Sequence, residues 1–278
     1  MRCKSMRLSL ALTTYERPDA LAAVLASVAA QCTQPNEVVV ADDGSGPETR
    51  TVIEQFAARA RYPVHHVRQE HAGFRVARLR NLAIARATGD YIVFIDGDMV
   101  LHPEFVADHL RFARHGAFTQ GVRLPLDEND TDRLLAESRG SRPPRRVHGI
   151  SPLRVHGRRK LYAIHNLTLA SLLRHAANAF IAVKSCNQGF WREHLVAVNG
   201  FDEDFVGWGS EDKELCARLQ HHGVVRQTLL FGGIAFHLHH PPASRERHTA
   251  NERLLAITHR ERRTRCAHGL DAHSGAVL

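Results

Sequence analysis

The stretch "GDYIVFIDGDMVLHPEF", residues 89–105, is the most informative part of the chain. It holds an almost continuous apolar run at residues 91–95, which predicts a strand buried on both faces of a sheet. The run ends in Asp96 and Asp98, separated by Gly97. Two carboxylates at this spacing repel each other unless a positive group or water lies between them. The sequence leaves three candidates open for that position: a divalent cation, a guanidinium group or water.

Similar apolar runs recur at residues 7–15, 36–46, 62–67 and 117–122. Segments with helical spacing separate these runs, and two of the segments begin at Pro18 and Pro103. Continuous apolar runs that alternate with helices predict an α/β fold, with a mostly parallel central sheet flanked by helices. Ligands of such sheets bind beyond the carboxyl ends of the strands. Residues 13–15, residues 42–43 and the acidic pair all stand at such ends, so we expect them to line one site.

The positive charge of the chain is unevenly distributed. The net charge is +8 over 278 residues, and between Glu137 and Glu193 there are eleven Lys or Arg and no acidic residue. This block predicts an anionic partner, which could be nucleic acid, acidic lipid headgroups or an anionic glycan. The five cysteines are scattered, and the apolar run near residue 7 is too short for a signal peptide. We therefore expect a cytoplasmic protein, either soluble or peripheral at the inner face of the membrane.

The acidic pair fits two classes of enzyme. Phosphatases of the haloacid-dehalogenase type carry Asp-x-Asp after an apolar strand, and their first acid, here Asp96, is a nucleophile. Glycosyltransferases carry Asp-x-Asp at a strand end to hold a metal. The phosphatase motif normally follows the first strand, whereas here it follows the fourth predicted strand, which favours the transferase. A non-enzymatic nucleic-acid binder that uses the basic block is a third, weaker alternative.

Several motifs occur in the order typical of one enzyme family. They are "TTYERPDAL" (13–21), "VVVADDGSG" (38–46), "ARLRNLAIARATGDYIVFIDGDMVLHPEF" (77–105) and "NGFDEDFVGWGSEDKEL" (199–215). With these motifs the chain resembles inverting glycosyltransferases of family 2 over most of residues 7–240. Its C-terminal half also resembles the family 7 β-1,4-galactosyltransferases and related bacterial polysaccharide polymerase domains. The last motif is the most specific of the four.

The resemblance implies a GT-A (Rossmann-like) fold and metal-dependent, inverting sugar transfer from a nucleotide sugar, with UDP as the first choice. The expected acceptor is a glycan or glycolipid, as in bacterial surface polysaccharide or lipopolysaccharide synthesis. Nucleic acid is not an expected partner. We expect one domain over residues 1–264, followed by a flexible tail at 265–278. Within it, residues 7–122 would bind the nucleotide and 186–243 the acceptor. Between them, 123–185 would be a basic insertion of loop and packed helix, and 138–192 could contact an anionic membrane.

The resemblance also assigns roles at the nucleotide side. Residues expected to contact the nucleotide are Thr13, Tyr15, Arg17, Asp42, Arg78, Arg80 and Asp96. Asp42 would accept a hydrogen bond from uracil, and Asp96 would contact ribose or metal-bound water. Arg78 and Arg80 are two apart on a predicted helix, so only one of them can face the diphosphate. The segment 187–189, "NQG", is expected beside the donor sugar.

The metal and acceptor roles follow from the same resemblance. Asp98, His240 and His237 would bind Mn²⁺ or Mg²⁺, and neutral imidazole suits Mn²⁺ better. His237 stands where the related galactosyltransferases have methionine. Asp212, with Glu211 beside it, would be the general base that takes the proton of the acceptor hydroxyl. Trp208 and Gly209 would form the surface on which the acceptor sugar stacks.

Overall fold

The computed structural model describes residues 6–138, 161–179, 181–241 and 244–273. The strands are β1 Leu8–Thr14, β2 Glu37–Asp42, β3 Val64–Arg68, β4 Tyr91–Asp96, β5 Met99–Leu101, β6 Ala117–Gln120, β7 Val122–Pro125, β8 Asn187–Trp191, β9 Val225–Thr228 and β10 Ile234–His237. The α-helices are α1 Pro18–Ala29, α2 Pro47–Ala57, α3 Val76–Arg86, α4 Phe105–Phe112, α5 Glu128–Ser138, α6 Leu167–Leu173, α7 Arg192–Ala197, α8 Glu211–His221 and α9 His248–Glu261. None of these helices is both long and apolar enough to cross a bilayer, a finding that covers the described residues alone.

Seven strands form the central sheet, in the order β3-β2-β1-β4-β8-β6-β9. The first four are mutually parallel, and β6 pairs in parallel with β9. Only β8 runs against its neighbours β4 and β6. The prediction of a mostly parallel α/β sheet is therefore confirmed, with one reversed strand inside it.

Helices cover both faces of this sheet, which explains the continuous apolar runs in the sequence. Leu8, Leu10 and Leu12 of β1 are buried in one apolar layer together with residues of α1. Ala11, between them, faces the opposite layer, which contains residues of α3 and α8. Since successive side chains of a strand point to opposite faces, a strand covered on both sides must be apolar at every position.

A second, small sheet determines where the C-terminal half meets the N-terminal half. It has the order β5-β10-β7, with β10 antiparallel to β5 and parallel to β7. In this register His237 is paired with Met99, and the backbone N–H of Leu238 donates to the carbonyl of Asp98 at 2.9 Å. The pairing therefore carries the end of β10 to the loop that holds the acidic pair.

Two expectations about the less regular parts of the chain were wrong. The apolar stretch at residues 161–183 is not one packed helix, because α6 begins only after Asn166, whose side chain caps it by accepting from the N–H of Leu169. Residues 266–273 are not a free tail, since Cys266 and Leu270 are buried and Leu270 N–H donates to the Asn199 carbonyl at 2.9 Å. The basic segment 139–160 lies outside the described residues.

Candidate active site

A cavity of about 510 Å³ opens at the carboxyl ends of β1, β2 and β4, and residues from β7, β10 and the loop before α8 complete its wall. This is the edge of the sheet at which the sequence predicts a ligand. Nine of the predicted site residues line it: Thr13, Tyr15, Arg17, Arg80, Asp96, Asp98, Trp208, His237 and His240. Segments far apart in the sequence therefore converge on one site.

Asp96 is held by a hydroxyl and a guanidinium. Thr13 Oγ1 donates to Asp96 Oδ1 at 3.0 Å, and Arg80 Nη2 donates to the same oxygen at 3.3 Å. Arg80 is buried, and its Nη1 donates to Glu211 Oε1 at 2.9 Å. Burial alone would lower the pKa of Arg80, but Asp96 and Glu211 raise it above its usual value, so the group stays charged. The positive group beside Asp96 is therefore the guanidinium of Arg80.

Asp98 forms a three-residue cluster with two histidines. Its Oδ2 lies 3.3 Å from His240 Nε2 and 3.5 Å from His237 Nε2. One ligand atom from each residue lies within 4.8 Å of the other two. Such a set of one carboxylate oxygen and two imidazole nitrogens suits a transition-metal cation such as Mn²⁺.

The environment of this cluster also favours a cation. Asp98 Oδ1 is buried and has no hydrogen-bond partner among the described residues. Burial, and then the neighbouring Asp96, raise the pKa of Asp98 to about 6, so the ionised form is less stable than in water and added positive charge would stabilise it. Burial, followed by the charge of Arg123, lowers the pKa of His237 to about 3. His237 is therefore neutral near pH 7, which is the form that binds metal. The residues present fit a divalent cation.

An aromatic platform forms one end of the cavity. The rings of Tyr15 and His71 stack with centroids 4.3 Å apart and planes 11° apart. His71 Nδ1 lies 3.0 Å from Asp43 Oδ2, which fixes the ring against the end of β2. Phe74, which is 42% exposed, adds a second apolar surface in the same cavity. A flat, partly exposed surface of this kind suits the stacking of a planar base.

The structure does not bring Asp42 or Arg78 to the cavity. The Asp42 side chain turns back to accept from the backbone N–H and hydroxyl of Ser45, and it pairs with His66 at 3.2 Å. It thus stabilises the turn after β2, and Asp43 faces the cavity in its place. Arg78 donates to the Gln69 side chain at 2.8 Å, on a different side of α3 from Arg80.

Trp208 adds a further aromatic surface to the cavity, and the N–H of Gly207 before it donates to the Phe74 carbonyl at 2.8 Å. The Trp208 ring stacks on His248 of α9 with centroids 5.6 Å apart, and the guanidinium of Arg245 lies 5.2 Å from the ring centre. The next residue, Gly209, has a φ of +109°, a conformation that favours glycine. Its carbonyl accepts from the side chain of Asn251 at 2.9 Å. Helix α9 thereby supports the loop that presents Trp208.

Glu211 and Asp212 form the first turn of α8 beside the cavity but do not line it. Glu211 is engaged by Arg80, as described above. Asp212 accepts from the backbone N–H groups of Ser185 and Lys213 at 3.0 and 2.8 Å. Burial, and then the charge of Glu211, raise the pKa of Asp212 to about 6. A carboxylate with a pKa this close to neutrality is suited to taking and releasing a proton.

Comparison with known proteins decides the family. The family model described as Glycosyl transferase family 2 matches residues 9–178, which is more than half of the chain. This protein belongs to glycosyl transferase family 2. A second model, described as the N-terminal domain of galactosyltransferase, matches residues 178–241. Both resemblances seen in the motifs are confirmed, and the phosphatase and nucleic-acid-binder alternatives are set aside.

The curated relatives of this family 2 glycosyltransferase include polysaccharide synthases. Validoxylamine A glucosyltransferase of Streptomyces hygroscopicus subsp. limoneus is 33% identical over 233 residues, covering 78% of this chain and 48% of that protein. Chondroitin synthase of Pasteurella multocida (strain Pm70) is 28% identical over 267 residues, covering 92% of this chain and 27% of that protein. The chain thus spans about half or less of the length of these relatives.

Solved structures confirm the fold. A fragment of S. aureus TarS has a TM-score of 0.59 at 17% identity, covering 91% of this chain and 65% of that one. Glucosyl-3-phosphoglycerate synthase from Mycobacterium tuberculosis, in complex with Mn²⁺, UDP and glucosyl-3-phosphoglycerate, has a TM-score of 0.55 at 16% identity, covering 92% and 80%. The glycosyltransferase therefore has the GT-A fold that the motifs implied.

The segment expected beside the donor sugar lies elsewhere in the glycosyltransferase. Asn187 and Gln188 are fully buried in β8, where Asn187 donates to the carbonyls of Val122 and Gly233 at 3.1 and 2.7 Å. Gly189 faces the Tyr91 hydroxyl, with no room for a side chain. This expectation was wrong, because the side chains of Asn187 and Gln188 form hydrogen bonds inside the sheet instead of lining a pocket.

Several cavity residues were not predicted from the sequence. They are His71, Phe74, Val76, Leu79, Arg123 and Arg245. Thr14 and Asp43 were expected at this edge of the sheet as part of residues 13–15 and 42–43, and both line the cavity. Arg123 and Arg245 carry no local signal, because each is an isolated arginine in a chain with 37 Lys and Arg.

Proposed function

We propose that this glycosyltransferase transfers a sugar from a nucleotide sugar, with UDP as the first choice, to a hydroxyl of a glycan or glycolipid acceptor, in a metal-dependent reaction that inverts the anomeric carbon. The observation that carries the proposal is the convergence of Asp98, His237 and His240 in a cavity that is also lined by exposed aromatic side chains. The Tyr15–His71 platform suits a base and Trp208 suits a sugar, and both line the same cavity as the cation site.

Each group then has a role that its surroundings support. The Tyr15–His71 platform would stack on the base, and Trp208 would stack on the acceptor sugar. A divalent cation held by Asp98, His237 and His240 would offset the charge of the departing diphosphate. Asp212 would take the proton from the acceptor hydroxyl as its oxygen attacks the anomeric carbon. Direct displacement with a single base inverts that carbon.

Arg80 would connect these roles without contacting substrate itself. It links Asp96 at the end of β4 to Glu211 at the start of α8, and both of its ion pairs are shorter than 3.5 Å. Asp212 follows Glu211 directly, so this linkage fixes the start of α8 relative to the metal cluster. Arg80 therefore supports the reaction as a positioning residue.

The choice of donor and acceptor class rests on the relatives. One neighbouring structure is the S. aureus TarS fragment in complex with UDP, and the Mycobacterium tuberculosis synthase was solved with both Mn²⁺ and UDP. Among the curated relatives are a chondroitin synthase and a hyaluronan synthase of Pasteurella multocida. These favour UDP as the nucleotide and a growing polysaccharide as the acceptor.

The proposal is tested by calorimetric titration of UDP into the protein, first with Mn²⁺ and then with EDTA. We expect wild-type protein to bind UDP much more tightly with Mn²⁺, and Asp98→Asn to lose most of that gain, because the amide lacks the charge that draws the cation. Glu54→Gln, on the exposed surface of α2, is the control and should bind as wild type. If wild-type protein binds neither UDP nor other nucleoside diphosphates, the proposed function is wrong.

Contact with an anionic membrane remains a prediction. Within the segment 138–192, the described residues include exposed Leu161, Ile164 and Leu172, which would suit insertion between headgroups. Co-sedimentation with vesicles should then depend on anionic lipid and decrease with salt. Binding that is absent, or insensitive to both, would contradict the prediction.

A further inference from the structure

Three residues that line the cavity each hold a buried polar atom without a hydrogen-bond partner. The atoms are Arg17 Nη1, Asp98 Oδ1 and Arg123 Nε, and their lack of partners refers to the part of the chain that the structure describes. Unpaired buried polar atoms are costly and rare in folded proteins. Three such residues around one cavity indicate that a ligand supplies polar partners there. The cation proposed above accounts for the carboxylate oxygen but not for the two guanidinium nitrogens.

Arg123 lies on the same face of the small sheet as His237. In the parallel pairing of β7 with β10, Arg123 is opposite Ala235 and Pro125 is opposite His237. Since side chains two residues apart on a strand share a face, Arg123 and His237 point to the same side. Both residues also line the cavity. Arg123 therefore shares a face of the small sheet, and the cavity, with a residue of the metal cluster.

The other arginines of the cavity are already engaged. Arg80 pairs with Asp96 and Glu211, Arg17 Nη1 lies 3.6 Å from Asp98 Oδ2, and Arg245 lies over the Trp208 ring. Arg123 forms no ion pair within residues 6–138, 161–179, 181–241 and 244–273. Its charge acts on Asp98, but within those residues no carboxylate lies close enough to form an ion pair with it.

We propose that Arg123 binds the diphosphate of the nucleotide sugar, next to the cation, and stabilises the negative charge of the leaving group. This inference rests on the proposed function and adds a binding residue to it. A guanidinium presents a planar fork of N–H donors that matches phosphate oxygens. A nucleoside diphosphate carries more negative charge than one divalent cation facing Asp98 can offset, so a second positive group is needed there. Arg123 provides it from a rigid strand.

The test compares UDP with uridine, which shares the base and ribose but has no phosphate. For Arg123→Gln we expect the affinity for UDP to fall about tenfold or more, as measured by calorimetry, while the affinity for uridine is unchanged. The loss should persist in EDTA, because the contact is made by the arginine itself. Arg123→Lys should restore part of the affinity, since it keeps the charge and loses the fork. Arg111→Gln, on the exposed side of α4, is the matched control.

Two results would overturn the proposal, and they have different meanings. If wild-type protein binds UDP and Arg123→Gln binds it equally well, the inference about Arg123 fails while the proposed function stands. An increase of the acceptor KM in that variant would then assign Arg123 to an anionic group of the acceptor. If wild-type protein binds no nucleoside diphosphate, both fail together. If Arg123→Gln does not fold, Arg123→Lys decides alone. A lysine variant that binds UDP as tightly as wild type and transfers sugar at the same rate with Mn²⁺ contradicts a contact made by the guanidinium fork.

Discussion

The acids at two strand ends meet different partners, although Asp42 and Asp43 are adjacent and Asp96 and Asp98 are separated only by Gly97. Asp42 caps its own turn whereas Asp43 reaches the cavity. Asp96 is paired with Arg80, whereas Asp98, one glycine later, faces two histidines. Sequence motifs locate such pairs of acids, because the ends of strands and the glycines beside them can be recognised in the sequence. They do not show which partners each carboxylate meets, since that depends on the local twist of the chain and on distant residues such as His66 and Arg80.

Asp212 leads to a prediction about pH. Its pKa is raised to about 6 by burial and by Glu211, while Arg80 and the N–H donors of Ser185 and Lys213 act in the opposite direction. A general base works only when ionised, so kcat/KM should fall as the pH is lowered through about 6 and level off above it. Initial transfer rates across this range measure the effect.

The variant Asp212→Asn serves as the control for that profile. It should lose roughly 100-fold or more in kcat and lose the inflection near pH 6, while UDP binding is retained because Asp212 belongs neither to the metal cluster nor to the Tyr15–His71 platform. If the variant keeps the wild-type rate and pH profile, Asp212 is not the base.

At the level of elements, α9 has a larger role than its sequence suggested. The sequence motifs gave this segment no role in the site, and only a flexible tail was expected after it, at 265–278. In the structure, Asn251 is buried and donates to the carbonyls of Val206 and Gly209 at 3.3 and 2.9 Å. Glu252 accepts from Ser210, whose φ of +73° is unusual for a residue with a side chain. The loop before α8 is thus held in its conformation from outside, and no local pattern in residues 206–210 could reveal this.

We expect Asn251→Ala to affect the acceptor side selectively. Removing the amide leaves two carbonyls without this donor, which should lower the free energy of unfolding by about 1–3 kcal/mol. The KM for the acceptor should rise more than the affinity for UDP falls, because the loop carries Trp208 and not the nucleotide platform. Steady-state kinetics and UDP titration provide the two measurements.

Arg253→Ala, at an exposed position of the same helix, is the matched control and should leave both quantities near wild type. Equal losses of UDP affinity and acceptor affinity in Asn251→Ala would show that α9 stabilises the whole fold without a specific effect on the acceptor loop.

Across the whole molecule, most of the central sheet could be predicted because a strand covered on both faces needs apolar residues throughout. The run at 91–95 and the leucines of β1 are examples. Strand β8 was not predicted, because it lacks such an apolar run. Its Asn187 and Gln188 are polar, and they are buried with hydrogen bonds to groups such as Gly233 and Gln120. Buried polar networks depend on partners that are distant in sequence, so periodicity does not detect them.

A buried ion pair provides a test at this scale. Arg218 is fully buried and donates to both carboxylate oxygens of Glu214 at 2.7 Å, and its Nη2 also donates to the Gly200 carbonyl at 2.8 Å. Arg218→Met leaves the Glu214 carboxylate buried and unpaired, so the free energy of unfolding should fall by about 3–5 kcal/mol. Urea unfolding followed by circular dichroism measures this loss.

The double variant Glu214→Leu with Arg218→Met should lose less than Arg218→Met alone, because no unpaired charge is left in the interior. If the loss in the double variant equals the sum of the losses in Glu214→Leu and Arg218→Met, the two side chains contribute independently and do not act as a pair.

The pairing of β10 between β5 and β7 has a consequence for the order in which the protein matures. During synthesis on the ribosome, Asp98 and Arg123 emerge long before His237 and His240. Until β10 arrives, β5 and β7 have no partner in the small sheet, and two short edges stay open to pairing with other chains. The cation proposed above would meet both histidines only after the last strand is in place, and its binding would then stabilise the completed arrangement. The pairing of β10 with β5 and β7 would then complete the active site and close the open strand edges at the same time.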